Sequence, residues 1–313
     1  MAGSGAMSPL GSRVREYLAL RRSLGHKLDD AERLLPRLVA YLEQTGNTTV
    51  TIEAALAWAQ RPDCGPDSSV PPRRMGVARG FARFMSGIDP ATEVPPIGLL
   101  PNRRRRRIPY LYSPAEIQAL MSAASEIPTP LRAATYRTLI GLLAATGMRV
   151  GEAIRLSRTD IDWDDGVLTI RETKFGKSRE LPLHRSTVDA LAAYARVRDR
   201  QQPRPRAASF FVSTVGTQLI YTDVGFTFRG LVRAAKVGER SPITPRIHDV
   251  RHSYAVRTVI GWYRDGENVA ARLPRLSTYL GHSDPRHTYT YLSASPELLT
   301  LAAARLEDTE VAS

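Results

Sequence analysis

Four short segments of the 313-residue chain carry side chains that could act together on a phosphate ester. Arginine guanidinium groups present paired donors that match phosphate oxygens and keep their charge. Histidine and lysine can transfer a proton, and a tyrosine phenol can attack once a base and nearby positive charge assist it. This set of residue types suits transfer of a phosphoryl group to a phenol oxygen. The segments are TGMRVGE (146–152), TKFGKSRELPL (173–183), IHDVRHSYA (247–255) and LGHSDPRHTYTYL (280–292).

The elements predicted around these segments form one domain of helices and a small sheet. Ser113 to Glu116 has the composition of a helix start, with serine as the N-cap, proline in the first turn and glutamate reaching back. VLTIR and RELPL alternate as strands do, and KFGKS between them has the composition of a hairpin turn. A further strand is expected at 210–213. Helices are expected at 186–200, 247–263 and 296–307.

The first hundred residues are predicted to be a separate helical domain, residues 8–100. Apolar residues at three- and four-residue steps from Leu28 to Leu42 predict an amphipathic helix, and Pro36 is expected to kink or interrupt it. A second helix is expected at 52–60. A third is expected at 75–85, with Arg79 and Arg83 on a polar face that could contact a polyanion.

The composition favours a nucleic-acid partner. The net charge is +13 and the pI is near 10.3, and such an excess of positive charge attracts polyanions. No apolar stretch is long enough for a membrane span. The single cysteine, Cys64, permits no internal disulfide, which is typical of a cytoplasmic protein, here expected to act on the nucleoid.

Between the two predicted domains lies a basic, proline-rich stretch, residues 101–112, which is expected to be an extended linker. Such a run of charges can be merely solvated, but beside two basic domains it favours contact with the DNA backbone. The linker arginines are Arg103, Arg104, Arg105, Arg106 and Arg107.

The four segments, in this order and behind a helical domain, resemble the tyrosine recombinase and phage-type integrase family, in a simple two-domain branch that is transposon-borne or Xer-like. The resemblance covers nearly the whole chain. It implies a mainly α fold with a small β-sheet. An N-terminal helical, SAM-like core-binding domain would precede a C-terminal α+β catalytic domain, residues 113–313. One departure is RHTYTY before the expected nucleophile, where integrases often carry Thr-Thr-Gln.

The resemblance also implies the catalytic roles. By motif, Arg149 and Arg251 would neutralise the phosphate, His248 would help to accept the tyrosine proton, and His282 would donate to a non-bridging phosphate oxygen. Tyr291 would be the nucleophile, because it follows His282 at the family's spacing of nine residues.

Three neighbouring residues leave alternatives open. Lys174 is favoured over Lys177 as the acid that protonates the leaving 5′ oxygen, because the family places its lysine just before the turn. His252 also lies close to Arg251 on the predicted helix. Tyr289 better suits an aromatic anchor than a nucleophile.

Glu152 matches the family's acidic position and is expected to position Arg149 or Lys174.

The acidic run TDIDWDDG (159–166) invites a metal-site interpretation but fails the EF-hand pattern, since Asp165 stands where glycine is required. A turn before the first strand is the better interpretation, and the family's chemistry uses neither metal nor any other cofactor.

The resulting hypothesis is a site-specific recombinase that cuts and rejoins DNA through a 3′-phosphotyrosyl intermediate, for integration, excision or transposition of a mobile element. Its partners would be double-stranded recombination sites and further copies of itself, in a tetramer on DNA. The alternatives are a type IB topoisomerase, which relaxes DNA by the same chemistry, and a DNA-binding regulator that no longer cuts.

Overall fold

The computed structural model describes residues 8–26, 28–61, 68–100, 108–171, 178–282, 288, 297–301, 303 and 304. The chain forms two compact units that divide between residues 107 and 108. Each unit contains buried hydrophobic clusters of its own. Within the described ranges, no helix has both the length and the apolar character that crossing a membrane would require.

In the described ranges of the first unit, four helices pack around one core. Ser8 caps the first helix, with proline at its start, and the Thr51 hydroxyl caps the third. Phe81, Leu35 and Leu38 are fully buried in the core between them. The helices are α1 (Pro9–Ser23), α2 (Asp29–Gln44), α3 (Ile52–Ala59) and α4 (Val70–Met85).

Two expectations for this unit need correction. Helix α2 runs through Pro36, so the expected interruption is absent; the apolar face on both sides of the proline is buried, and this packing outweighs the loss of one backbone hydrogen bond. Helix α4 begins at Val70, five residues earlier than predicted, since the prolines that follow fit the first turn of a helix.

The second unit packs helices around a small sheet. Its first helix has the predicted capping box: the Ser113 hydroxyl accepts from the Glu116 amide, and the Glu116 carboxylate accepts from the Ser113 amide. The remaining elements follow from there. They are α5 (Pro114–Ser125), α6 (Pro130–Thr146), α7 (Val150–Arg155), β1 (Ile161–Asp162), β2 (Val167–Ile170), β3 (Arg179–Pro182), α8 (Arg185–Gln201), α9 (Tyr221–Ala234), α10 (Asp249–Arg264) and α11 (Val269–Leu280).

The sheet is antiparallel in the order β1-β2-β3. The predicted antiparallel pairing of the strands VLTI and RELP is confirmed, and its register places Leu168 opposite Leu181, both fully buried. The strand expected at 210–213 is absent from the sheet: Phe210, Phe211 and Val212 are buried, but the segment makes a single isolated bridge, from Val212 to Gln218. The third strand is instead Ile161–Asp162, within the acidic run.

The end of the predicted linker belongs to the second unit. Tyr112 is buried, its amide donates to the Ser253 hydroxyl at 2.8 Å, and its own hydroxyl donates to the Arg246 carbonyl at 3.1 Å. The aromatic ring and these two bonds fix residue 112 against α10. Any extended linker therefore ends before this residue.

Candidate active site

The site is built on the carboxyl ends of two helices. Gly147 is the C-cap of α6 and Gly281 is the C-cap of α11, both in the left-handed conformation that glycine favours, with φ of +63° and +68°. The last carbonyls of a helix lack intrahelical partners and carry partial negative charge. Two helix ends that offer such carbonyls form a seat for cations.

Both motif arginines bind these carbonyls. Arg251, which is only 3% exposed, donates from Nη1 to the Gly147 oxygen at 2.9 Å and from Nη2 to the Leu280 oxygen at 2.7 Å. Arg149 donates from Nη2 to the Gly281 oxygen at 2.9 Å. The structure thus brings Arg149 and Arg251 to the same pair of helix ends, although they are 102 positions apart in the sequence.

Neither glycine leaves room for a side chain. A Cβ on Gly147 would lie 2.4 Å from Cδ1 of Tyr254, and one on Gly281 would lie 2.7 Å from Nη1 of Arg179. The backbone conformation and the close approach therefore both require glycine at these two positions.

Glu152 is a buried carboxylate that contacts the partly exposed Arg149. Its side chain is 3% exposed and accepts from the Arg149 amide at 2.9 Å and from Arg149 Nη1 at 2.9 Å. Burial alone would raise the pKa of this carboxyl, but the hydrogen bonds and positive charges of Arg179 and Arg149 outweigh it and lower the pKa. The carboxylate is therefore charged, and it fixes Arg149 from below.

Arg179 is a residue of the site that the sequence analysis did not single out. It opens β3, is largely buried, and donates to both carboxylate oxygens of Glu152, at 3.2 and 2.9 Å. Its Nε donates to the Tyr279 carbonyl at 2.8 Å. The sequence did contain a signal for this role. Arg179 is a cationic residue at the start of the predicted strand RELPL, close to the two lysines of KFGKS.

His248 is the N-cap residue of α10, one turn before Arg251. Partial desolvation is the main cause that lowers its pKa below the ordinary histidine value, and the positive charge of Arg251 is the next. The His252 ring lies edge-on at a centroid distance of 5.2 Å, and burial lowers the pKa of His252 to about 4. Both rings are therefore neutral near pH 7.

The buried Asp249, next to His248 in the sequence, holds the start of α10 in place. The Asp249 carboxylate is fully buried and accepts from the Arg246 amide and from two nitrogens of its guanidinium, at 2.8 to 3.1 Å. Such a bidentate pair fixes the backbone on either side of His248. The position of His248 is thus determined by its sequence neighbours.

His282 follows α11 directly, and its Nδ1 lies 2.7 Å from the hydroxyl of the buried Thr288. When that hydroxyl donates to Nδ1, the proton of the neutral ring sits on Nε2. Thr288 belongs to the RHTYTY segment before Tyr291, so this segment supplies a partner for His282.

Several predicted residues lie outside the described residues: Tyr291, Tyr289, Lys174, Lys177 and the linker arginines Arg103, Arg104, Arg105, Arg106 and Arg107. Their roles stay predictions. On α4, Arg79 donates to the carbonyls of Pro95 and Pro96, at 2.7 and 2.8 Å, so at least two of its nitrogens are engaged within its own unit. Arg83 is exposed.

The acidic run forms a turn held by its own side chains. The Asp162 carboxylate accepts from the amides of Asp164 and Asp165, and Asp160 pairs with Arg171 at 2.6 Å. In the part of the chain that the structure describes, no group of three or more potential ligand side chains is placed to hold a metal ion.

The sequence and fold agree with one family of enzymes. The family model described as the Phage integrase family matches residues 111–297, more than half of the chain. The chain therefore belongs to this family of tyrosine recombinases and integrases, whose members are DNA strand-exchange enzymes.

Among similar sequences, the putative integrase/recombinase y4rB of Sinorhizobium fredii (strain NBRC 101917 / NGR234) is 45% identical over 309 residues, 96% of this chain and 98% of that protein. The tyrosine recombinase XerC of Roseiflexus sp. (strain RS-1) is 28% identical, over 72% of this chain and 68% of that protein.

Among solved structures, the Tn1549 transposon integrase in complex with circular intermediate DNA has a TM-score of 0.65 at 19% identity, with 95% of this chain and 99% of that chain covered. The XerA recombinase has a TM-score of 0.52 at 19% identity, over 94% of this chain and 97% of that chain. These two likenesses concern the fold, which is that of tyrosine recombinases.

Proposed function

We propose that this protein is a site-specific recombinase that cleaves and rejoins DNA through a covalent 3′-phosphotyrosyl intermediate on Tyr291. The observation that carries the proposal is the convergence of Arg149 and Arg251 on one pair of helix ends, beside a neutral His248. Two fixed guanidinium groups and a neutral base are what the attack of a phenol on a phosphodiester requires.

In the cleavage step, the Tyr291 phenol oxygen forms a bond to the scissile phosphorus while the bond from phosphorus to the 5′ oxygen breaks. The phenol proton passes to the neutral imidazole of His248. The Lys174 ammonium gives a proton to the departing 5′ oxygen. Arg149, Arg251 and Nε2 of His282 would bind the non-bridging oxygens, on which negative charge accumulates in the transition state.

Rejoining is the reverse reaction with a different strand. The 5′ hydroxyl of a partner DNA attacks the phosphotyrosine, a new phosphodiester forms, and the Tyr291 phenol is released with its proton restored. Since each bond broken is replaced by an equivalent bond, the cycle requires no nucleotide. Positive charge from arginine and lysine would serve where a nuclease uses a metal.

We infer that the substrate is a pair of double-stranded recombination sites, acted on by a tetramer of this chain, and that the outcome is integration, excision or transposition of a mobile element. The net charge of +13 supports a DNA partner. The solved transposon integrase that shares this fold was bound to circular intermediate DNA, which makes a mobile element the favoured context.

The test is covalent capture. Sequences bound by the protein would be selected from random DNA and from the DNA flanking its gene, then rebuilt as suicide substrates nicked beside the cleavage point. In EDTA and without nucleotide, the unmodified protein should form an adduct that survives denaturing gels, and mass mapping should place the DNA on Tyr291. Tyr291→Phe should bind the same DNA and form no adduct, whereas Tyr289→Phe should still form it.

Four results would contradict the proposal. An adduct on Tyr289 or a serine would reject Tyr291, and a strict Mg²⁺ requirement for cleavage would reject the metal-independent mechanism. Binding without any adduct would favour the regulator. A protein that relaxes any supercoiled plasmid as a monomer, with no exchange between sites, would be a topoisomerase.

A further inference from the structure

We infer that Arg179 is a positioning residue for the recombination reaction: it shares the charge of Glu152, so that Arg149 stays electropositive toward the phosphate, and it ties β3 to the end of α11. This inference rests on the proposed function, since it concerns how the same site is kept ready for cleavage.

The contacts of Arg179 reach three parts of the site. Its two terminal nitrogens bind Glu152, the carboxylate that also holds Arg149. Its Nε binds the Tyr279 carbonyl in the last turn of α11, and its guanidinium lies against Gly281. The carbonyls of residues 280 and 281 hold Arg251 and Arg149. The Arg179 side chain therefore contacts both the carboxylate that holds Arg149 and the helix end whose carbonyls hold Arg149 and Arg251.

The balance of charge explains why a second arginine is needed. Glu152 contributes one negative charge and faces two guanidinium groups, so the cluster keeps one net positive charge (+1 +1 −1). Without Arg179, Glu152 would face Arg149 alone, and the pair would be neutral. A phosphate that binds Arg149 would then compete with the Glu152 carboxylate, whose full negative charge would be paired with Arg149 alone.

Burial makes this interaction different from an ordinary surface ion pair. The side chains of Arg179 and Glu152 are 11% and 3% exposed, so water screens their attraction little. The planar fork of Arg179 spans both carboxylate oxygens, which an ammonium group cannot do. Arg179 is also the first residue of β3, so its side-chain contacts hold the start of this strand.

A double-mutant cycle separates this role from a purely structural one. The rate of covalent complex formation on the suicide substrate would be measured for Arg179→Ala, Glu152→Gln and the combination of both, with DNA affinity and Tm measured alongside. Arg179→Ala should slow the reaction about 10- to 100-fold, the range seen when a side chain that orients a metal-binding residue is removed, taken here as the measure for orienting Arg149. DNA affinity should change far less.

The decisive result is the combined variant. If Arg179 acts by sharing the charge of Glu152, then removing that charge should make Arg179→Ala/Glu152→Gln faster than Arg179→Ala alone. Arg179→Lys, which keeps the charge and loses the fork, should fall between Arg179→Ala and the unmodified protein. Arg158→Ala removes an arginine from an exposed pair with Asp199 and should match the unmodified protein.

A combined variant as slow as Arg179→Ala, or slower, would overturn the inference, as would an Arg179→Ala protein that reacts at the normal rate. If thermal unfolding shows that Arg179→Ala does not fold, the same comparison is made between Arg179→Lys and the double variant Arg179→Lys/Glu152→Gln. Failure of the unmodified protein to form an adduct is a different outcome, which rejects the proposed function itself.

Discussion

Replacing Gly147 by alanine would test whether the end of α6 holds Arg251 in place. The φ of +63° at this position costs a residue with a side chain about 1–2 kcal/mol. The added Cβ would lie 2.4 Å from Cδ1 and 2.8 Å from Cγ of Tyr254. Either the ring or the helix end must move, and overpacking of this kind costs about 1–3 kcal/mol. The total destabilisation is about 2–5 kcal/mol.

Gly266 provides the matched control in the same unit. It has a φ of +73°, and nothing lies within 4 Å of a Cβ built there. Gly266→Ala should therefore show the backbone cost alone, about 1–2 kcal/mol. In a unit of this size each kcal/mol lowers Tm by about 2–4 °C, so the expected losses are about 4–20 °C for Gly147→Ala and about 2–8 °C for Gly266→Ala.

The two measurements are thermal unfolding of each variant and its rate of covalent complex formation well below its Tm. Gly147→Ala should also react more slowly, because a displaced Gly147 carbonyl no longer fixes Nη1 of Arg251. Equal Tm values for the two variants would show that the Tyr254 ring yields freely. A destabilised Gly147→Ala protein with a normal rate would show that this carbonyl does not position Arg251.

Lys174→Ala should slow cleavage strongly on ordinary DNA and much less on a 5′-bridging phosphorothiolate, because a thiolate leaves without a proton; the same rescue in Lys177→Ala alone would identify the other lysine. Replacing residues 103–107 by alanine should weaken binding on all sequences alike and flatten the dependence of log affinity on log salt, whereas an unchanged slope would mean a merely solvated run. The pKa of His248 is lowered from 6.5, so the cleavage rate should hold as the pH falls through 6.5 and decline only below it, as the base is protonated. His248→Gln should lack that decline, and a decline already centred above pH 6.5 would contradict the assignment.

The sequence predicted those elements that local signals define. The capping box before α5 and the alternation in the β2–β3 hairpin both lie within short stretches, and both are confirmed. Helices α8 and α10 begin and end within two residues of their predicted bounds. In each case the local pattern and the tertiary packing favour the same structure.

The misses occur where tertiary packing decides. Residues 210–213 have the composition of a strand, yet their main contacts are side chains in the core, and the sheet position is filled by Ile161–Asp162. Helices α9 and α11 were not predicted at all, and α11 contains Pro274, a residue that argues against a helix. Long-range burial, which no local window contains, outweighs these local preferences.

For the site, the motif located Arg149, Arg251 and Glu152, and the structure brings these three together. Arg179 escaped because its partners, Glu152 and Tyr279, are 27 and 100 positions away in the sequence. The residue type alone does not distinguish a buried, bidentate arginine from the many exposed ones in a chain this rich in arginine.

The main-chain carbonyls that bind Arg251 affect which sequence changes this site can tolerate during evolution. Two of its acceptors, the oxygens of Gly147 and Leu280, belong to the main chain, so neither is a side-chain atom that a substitution could remove. A point substitution can displace these oxygens but cannot delete them. Covariation between pairs of positions should therefore miss this contact, although it spans 104 residues to Gly147. Replacing Leu280 by another apolar residue should keep the hydrogen bond from Arg251 to the carbonyl at this position.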